Sequence, residues 1–282
     1  MYRCVACKSI LNSNMQCSNC GKVYFPDCNN VTSMIDKIDS KKQKVEELYN
    51  TLGIKKRKNN FSRFSTFLNY GVQDEANMYG GGQKASLLLI KNICEKVNFL
   101  HKKVIDIGCG RGGNLFYIKH CFDTDYLVGL DLSYENITFC QSKNEDINFV
   151  RADAENIPYI SQYFDIVLNI ESALHYPNIE QFFKEVNRIL VLDGIFIYVD
   201  IIDYKSLAAR KRLLGELNFQ LLDEYDYTEK VLNSMISKGM QNFEESKMIF
   251  QHVKIFKEME NKEKKYLMFI LKKSANKKLS RK

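Results

Sequence analysis

The chain contains no run of about eighteen apolar residues, so its sequence offers no segment for a membrane-spanning helix. Its start, MYRCVACK, lacks the charged-then-apolar pattern of a secretory signal, and a soluble, cytoplasmic protein is expected. A disulfide framework is missing as well. Four of the nine cysteines crowd into the first twenty residues, while Cys28, Cys94, Cys109, Cys121 and Cys140 stand singly, which fits reduced thiols plus one metal site. The net charge of +7 is moderate, and much of it sits in KKRK at 55–58 and in the tail from Lys272. No aromatics interleave with the tail's charges, which reads as solvated surface rather than a nucleic-acid arm. With 45% apolar and 12% aromatic residues, the 282-residue chain can bury a full core and a small appendage.

The most informative stretch is VIDIGCGRGGN at 104–114, a β-branched run ending in a glycine turn and continuing as an amphipathic segment. Such a corner lets backbone approach a ligand closely. Its glycines, Gly108, Gly110 and Gly112, lack the GxGxxG spacing of a dinucleotide site, and Asp106 would repel a pyrophosphate. A ligand with a cationic centre and an amino group suits it better.

At the N-terminus, Cys4, Cys7, Cys17 and Cys20 form two CxxC knuckles separated by nine residues, a spacing that places four thiolates around a tetrahedral zinc with no open position for catalysis. The following GKVYFPDCNN reads as the ribbon's last strand. A Lys- and Glu-rich helix is expected from Thr32 to about Lys58, closed by Gly53 as a C-cap. Aromatics at 61–71 and the glycines Gly80 to Gly82 suggest core plus loop, or a lid over a ligand. A helix over 85–97 leads into the glycine corner.

Beyond the corner, strand and helix alternate. Tyr126 to Leu130 is a buried-type strand ending at Asp131, whose carboxylate is placed to accept two ribose hydroxyls. INFVRAD ends at Asp153 and Ala154, where a carboxylate can accept from an exocyclic amine of adenine. DIVLNI and IFIYVD supply two further strands, and Phe182, Phe183, Val186, Ile189 and Leu190 fall at helical spacing. An α/β fold with a doubly wound, mostly parallel sheet and a ligand at the strands' carboxyl ends follows.

Taken together, VIDIGCGRGGN, GLDLS, RADAENIP, FDIVLNIESALHYP and ILVLDGIFIYVD resemble the successive motifs of class I S-adenosylmethionine-dependent methyltransferases, over roughly residues 85–205. The resemblance implies a Rossmann-like, seven-stranded sheet with an antiparallel last strand, with strands near Phe219 to Tyr225 and Tyr266 to Leu271. It implies S-adenosylmethionine contacts from Asp106, Gly108, Cys109, Gly110, Asp131, Leu132, Asp153, Ala154 and Asn169. NIESALHYP at 169–177 is similar to a stretch of natural-product O-methyltransferases of the phenolic-glycolipid, microcystin and macrolide-sugar type. Carried over, His175 is the general base, Asp200 supports it, and Glu171 serves as an alternative base or ligand holder. The implied acceptor is a hydroxyl of a small secondary metabolite, a polyketide, peptide or sugar. Methionines and phenylalanines at 235, 240, 243, 248 and 250 read as core or as the wall of an apolar pocket. The ribbon instead resembles that of rRNA guanine methyltransferases, the rival reading, and a non-catalytic binding module is the third. Against RNA stand the ribbon's few basic residues (Arg3, Lys8, Lys22) and the missing Asn-Pro-Pro-Tyr motif. The expected organisation is a ribbon at 1–31, a helical linker and lid at 32–84, a catalytic domain at 85–275 and a basic tail at 276–282. A nucleic-acid partner and a homodimer stay open, and no membrane insertion is expected.

Overall fold

A computed structural model describes residues 1–58, 65–73, 83–143, 146–237 and 247–275. The glycine run at 80–82, Met240, Phe243 and the tail 276–282 lie outside the described residues, as do the side chains of Met248 and Phe250.

The strands are β1 (Thr32–Met34), β2 (Lys103–Ile107), β3 (Tyr126–Asp131), β4 (Asn148–Ala152), β5 (Phe164–Ile170), β6 (Leu190–Asp203), β7 (Phe219–Asp226) and β8 (Lys264–Lys273). The helices are α1 (Ser40–Lys58), α2 (Gln83–Cys94), α3 (Gly113–Cys121), α4 (Tyr134–Gln141), α5 (Ile179–Ile189), α6 (Tyr204–Glu216), α7 (Thr228–Ser237) and α8 (Lys247–Glu260). The strands form one sheet in the order β1-β4-β3-β2-β5-β6-β8-β7. Pairing is parallel from β1 through β6, and β8 runs antiparallel between β6 and β7. Central strands are apolar on both faces, as a helix-covered parallel sheet demands: Val104, Ile105 and Ile107 of β2 are fully buried. On α5, Phe182, Phe183, Val186 and Ile189 form the stripe packed on that sheet.

The sheet has eight strands where seven were expected, because Thr32 to Met34 is a strand and not the start of the helix. Thr32 pairs with Val150 and Met34 with Ala152, and Met34 is buried. The helix begins later, at Ser40, where Asp39 Oδ1 accepts from the amides of Lys41 and Lys42 at 2.8 and 3.0 Å. Gly53 is no C-cap: it lies inside α1, and a Cβ there would come within 2.9 Å of Glu135 Cβ on α4. Glycine at this position lets two helices approach. GKVYFPDCNN contributes only isolated bridges, Gln16 to Val23 and Pro26 to Thr32, in place of a ribbon strand.

The N-terminal cysteine module is fused to the main body. Cys4, Val5, Leu11, Cys17 and Tyr24 are buried in the same apolar cluster as Val150 and Ala152 of β4. Arg3 pairs with Glu185 of α5 at 2.6 Å, and the rings of Tyr2 and Tyr159 sit 4.7 Å apart. Among the described residues no helix is long and apolar enough to cross a membrane.

Candidate active site

The chain turns sharply after β2 because Gly108, at φ +75°, stands where a Cβ would lie 2.2 Å from Ser172 Oγ. The amides of Gly108 and Cys109 then donate to Leu130 O at 2.7 and 3.0 Å, and Gly110 N donates to Asp131 Oδ2 at 2.8 Å. This ties the glycine corner to the end of β3. A cavity of about 920 Å³ opens over the corner. Gly108, Cys109, Gly110, Asp131, Leu132, Asp153, Ala154, Glu171 and His175 all line it.

Three of the sequence-predicted residues lie behind the wall. Asp106 is fully buried, accepts from Asn114 Nδ2 at 3.0 Å and is pushed up to about 7 by burial. Asn169 Nδ2 donates to Ile107 O at 2.8 Å and to Ser172 Oγ at 2.6 Å, bracing the loop under Gly108. Asp200 lines neither this cavity nor the adjoining one; Oδ1 accepts from Ile201 N at 2.8 Å and Oδ2 from Tyr198 Oη at 3.4 Å. Burial likewise pushes its carboxyl up to about 7. The structure therefore brings His175 and Glu171 to the cavity without Asp200 beside them.

Helix α1 roofs the site, which the sequence reading treated as a connector. Lys42, Val45, Glu46 and Tyr49 face the cavity at helical spacing. Lys42 bridges Asp153 at 2.7 Å and Glu155 at 2.6 Å, Arg151 pairs with Glu46, and Asn50 Oδ1 accepts from Ser133 Oγ at 2.7 Å. Tyr49 Oη meets His175 Nε2 at 2.9 Å. His175 closes a 3₁₀ turn, Ala173–His175, and burial lowers its pKa, so the ring is neutral at pH 7. Glu171 sits at φ +52°, a left-handed conformation costly for a side-chain-bearing residue. Its carboxylate accepts from Tyr70 N at 2.9 Å and Tyr266 Oη at 2.6 Å.

A second cavity, about 1200 Å³, abuts the first and shares Tyr49, Glu171 and His175 with it. Its wall is largely apolar, with Leu48, Leu52, Phe67, Leu68, Leu174, Ile201 and Ile255. Two cavities thus meet at a seam made by a tyrosine, a histidine and a glutamate.

Residues 105–198 match the methyltransferase domain family. The chain contains a methyltransferase domain of the class I type. It is similar to a fatty-acid O-methyltransferase from Mycolicibacterium smegmatis, 30% identical over 189 residues that cover 62% of this chain and 65% of that protein. A phthiotriol/phenolphthiotriol dimycocerosates methyltransferase from Mycobacterium leprae is 29% identical over 161 residues, 56% of this chain and 60% of that one. The chain thus spans under two thirds of the length of these curated relatives. Among solved structures, a geranyl diphosphate C-methyltransferase from Streptomyces coelicolor, complexed with S-adenosyl-L-homocysteine, superposes with a TM-score of 0.67 at 12% identity, covering 84% of this chain and 100% of that one. The [4+2]-cyclase SpnF superposes at 0.69 with 15% identity, covering 83% and 97%. These two likenesses establish the fold.

The methyltransferase cavity fits S-adenosylmethionine. Asn69 Oδ1 and Asn114 Oδ1, on two lining residues, are buried with no hydrogen-bond partner among the described residues, which suits a ligand rich in donors. The carboxylates of Asp131 and Glu171 give the cavity the sign a sulfonium and an ammonium require. The sulfurs of Cys4, Cys7, Cys17 and Cys20 lie within 4.8 Å of one another, with Cys7 and Cys17 at 3.3 Å and Cys4 and Cys20 at 3.6 Å. Four thiolates about a zinc at ~2.3 Å form a tetrahedron of similar edge, so the cluster fits that ion. Arg3 and Lys8 of the module are spent on Glu185 and Asn156, and Lys22 on Asp36.

Proposed function

We propose that the protein is an S-adenosylmethionine-dependent methyltransferase that O-methylates a hydroxyl of a small, largely apolar metabolite. The observation that carries this reading is the seam: one imidazole, His175, borders both cavities at once. S-adenosylmethionine, when bound, supplies an electrophilic methyl group on a sulfonium. Asp131 is placed to hold the ribose, Ala154 and the Asp153 side of the cavity to flank adenine, and the glycine corner to let backbone reach the amino-acid end. The apolar second cavity takes the acceptor and keeps water from the reacting oxygen.

Methyl transfer is an in-line displacement, so the chain must aim one oxygen and remove its proton. Neutral His175 accepts that proton, and Tyr49, hydrogen-bonded to Nε2, fixes the ring's orientation. Burial pushes the Tyr49 phenol far above its usual range, so it stays protonated as a donor. Glu171, clamped by Tyr70 and Tyr266, sets a negative charge at the seam beside the cofactor's cationic end. Asp200 acts at most through the strand that carries it. The names of the two mycobacterial relatives support a lipid-like acceptor.

The test is calorimetric titration with S-adenosylmethionine followed by mass-spectrometric detection of methyl transfer to a panel of long-chain alcohols and phenols. Micromolar cofactor affinity and a methyl ether product support the reading. A protein that binds no cofactor overturns it.

A further inference from the structure

Helix α1 crosses both cavities. Lys42 and Tyr49 line the first and Tyr49 and Lys56 the second, so three residues at a seven-residue interval mark its two ends and its middle. Seven residues advance ~10 Å along a helix axis. Lys56 therefore stands roughly that far from the seam, with Leu48 and Leu52 between, facing Leu174, Ile201 and Ile255 across the cavity.

The charges of this second cavity are arranged in a line. Its described acidic residue is Glu171, at the seam, and its described lysine is Lys56, at the distal end. Around Lys56 the polar groups are Ser65, whose Oγ accepts from Nζ at 3.4 Å, and Gln83, whose Oε1 accepts from Thr66 N at 3.0 Å and so leaves its amide nitrogen as a donor. A monoanion entering such a cavity is repelled at the seam and attracted at the far end.

Building on the O-methylation reading, we propose that the acceptor is an amphiphilic hydroxy acid. Its carboxylate is held at Lys56 and Gln83, its aliphatic body lies against Leu48, Leu52 and Ile255, and its hydroxyl, roughly 10 Å away, reaches His175. The site then makes an ether and leaves the acid free. The hydroxyl oxygen bonds to the methyl carbon, the sulfur–methyl bond breaks with its electron pair passing to sulfur, and the hydroxyl proton goes to His175. A single lysine matches the single charge of a carboxylate better than a phosphate dianion. Extended chain advances ~1.2 Å per bond, so a hydroxyl roughly nine bonds from the carboxyl carbon spans the cavity.

10-Hydroxydecanoic acid and 1-decanol are the matched probes, with S-adenosylmethionine as donor. The wild-type protein is expected to use the hydroxy acid with a kcat/KM at least tenfold above that for 1-decanol, to give an alkali-stable ether, and to bind decanoate in calorimetry. Lys56→Gln is expected to raise the hydroxy acid's KM tenfold or more and to collapse the preference, while Lys56→Arg restores it. An alkali-labile ester, equal use of the two probes, or decanoate binding indifferent to Lys56→Gln overturns the proposal. If decanoate binds in a Lys56-dependent manner but neither alcohol is methylated, the O-methylation reading falls and the anion subsite stands.

Discussion

Tyr49 Oη and His175 Nε2 lie 2.9 Å apart, joining a roof helix to the loop after β5 across 126 residues of chain. If this contact orients the base, Tyr49→Phe lowers kcat by ~10- to 100-fold while cofactor affinity moves by less than about threefold. Steady-state kinetics with parallel calorimetry check this; an equal loss in cofactor affinity would assign Tyr49 to binding instead.

The pH dependence has a definite sign. Burial lowers the His175 pKa from its ordinary 6.5, and the neutral ring is the base. Activity is therefore present above that lowered pKa and lost as pH falls through it. The acid limb of the kcat profile is expected below pH 6.5, and a limb at or above 7 contradicts the assignment. Stability follows the same direction, since the unfolded ring takes a proton first and acid below about 6.5 favours unfolding.

Asp200 behaves oppositely. Its folded pKa is pushed up to about 7 from 3.8 by burial, so the folded chain keeps a proton that the unfolded chain has lost. Its contribution to stability declines as pH rises from about 4 to about 7, by at most ~1.4 kcal/mol per unit. Urea unfolding of Asp200→Asn against wild type at pH 5 and pH 7.5 tests this: the variant gains relative to wild type at the higher pH, and a constant difference contradicts it.

At Gly53, helix propensity alone would make any larger residue stabilising by up to ~1 kcal/mol. The 2.9 Å approach to Glu135 reverses that. Gly53→Leu is expected to destabilise by ~1–3 kcal/mol and to weaken cofactor binding by lifting α1. Denaturant titration and calorimetry measure both.

Zinc removal is expected to act at a distance from the seam. The cysteine module shares an apolar cluster with β4 and contacts the loop after Asp153 through Arg3, Val5 and Lys8. Chelation, or Cys17→Ser, lowers Tm by about 5 °C or more and loosens adenine-side binding; a protein whose Tm ignores chelation would show that the module holds no structural metal.

The corner and the strand ends were legible in the sequence because local rules write them: glycines at tight turns, β-branched runs for buried strands, an acidic residue where β3 stops. The two-knuckle cysteine spacing was legible for the same reason. Helix α1 was not. Its Lys- and Glu-rich sequence carries a weak apolar face, and what it covers depends on contacts with β4, β5 and α4 about ninety to 130 residues away. The seven-residue interval Lys42, Tyr49, Lys56 was the available signal. The three-residue β1 was too short for alternation to show, and Gly53 looked like a helix stop because a close approach between helices leaves no mark in one sequence. Lys42 on Asp153 was likewise a tertiary pairing.

The most direct measurement is single-turnover methyl transfer from S-adenosylmethionine to a hydroxylated acceptor by wild type and His175→Gln, with cofactor affinity measured on the same preparations. The account predicts a rate lower by ~10²-fold or more in the variant, with affinity within about threefold. A variant that transfers the methyl group at the wild-type rate would contradict it.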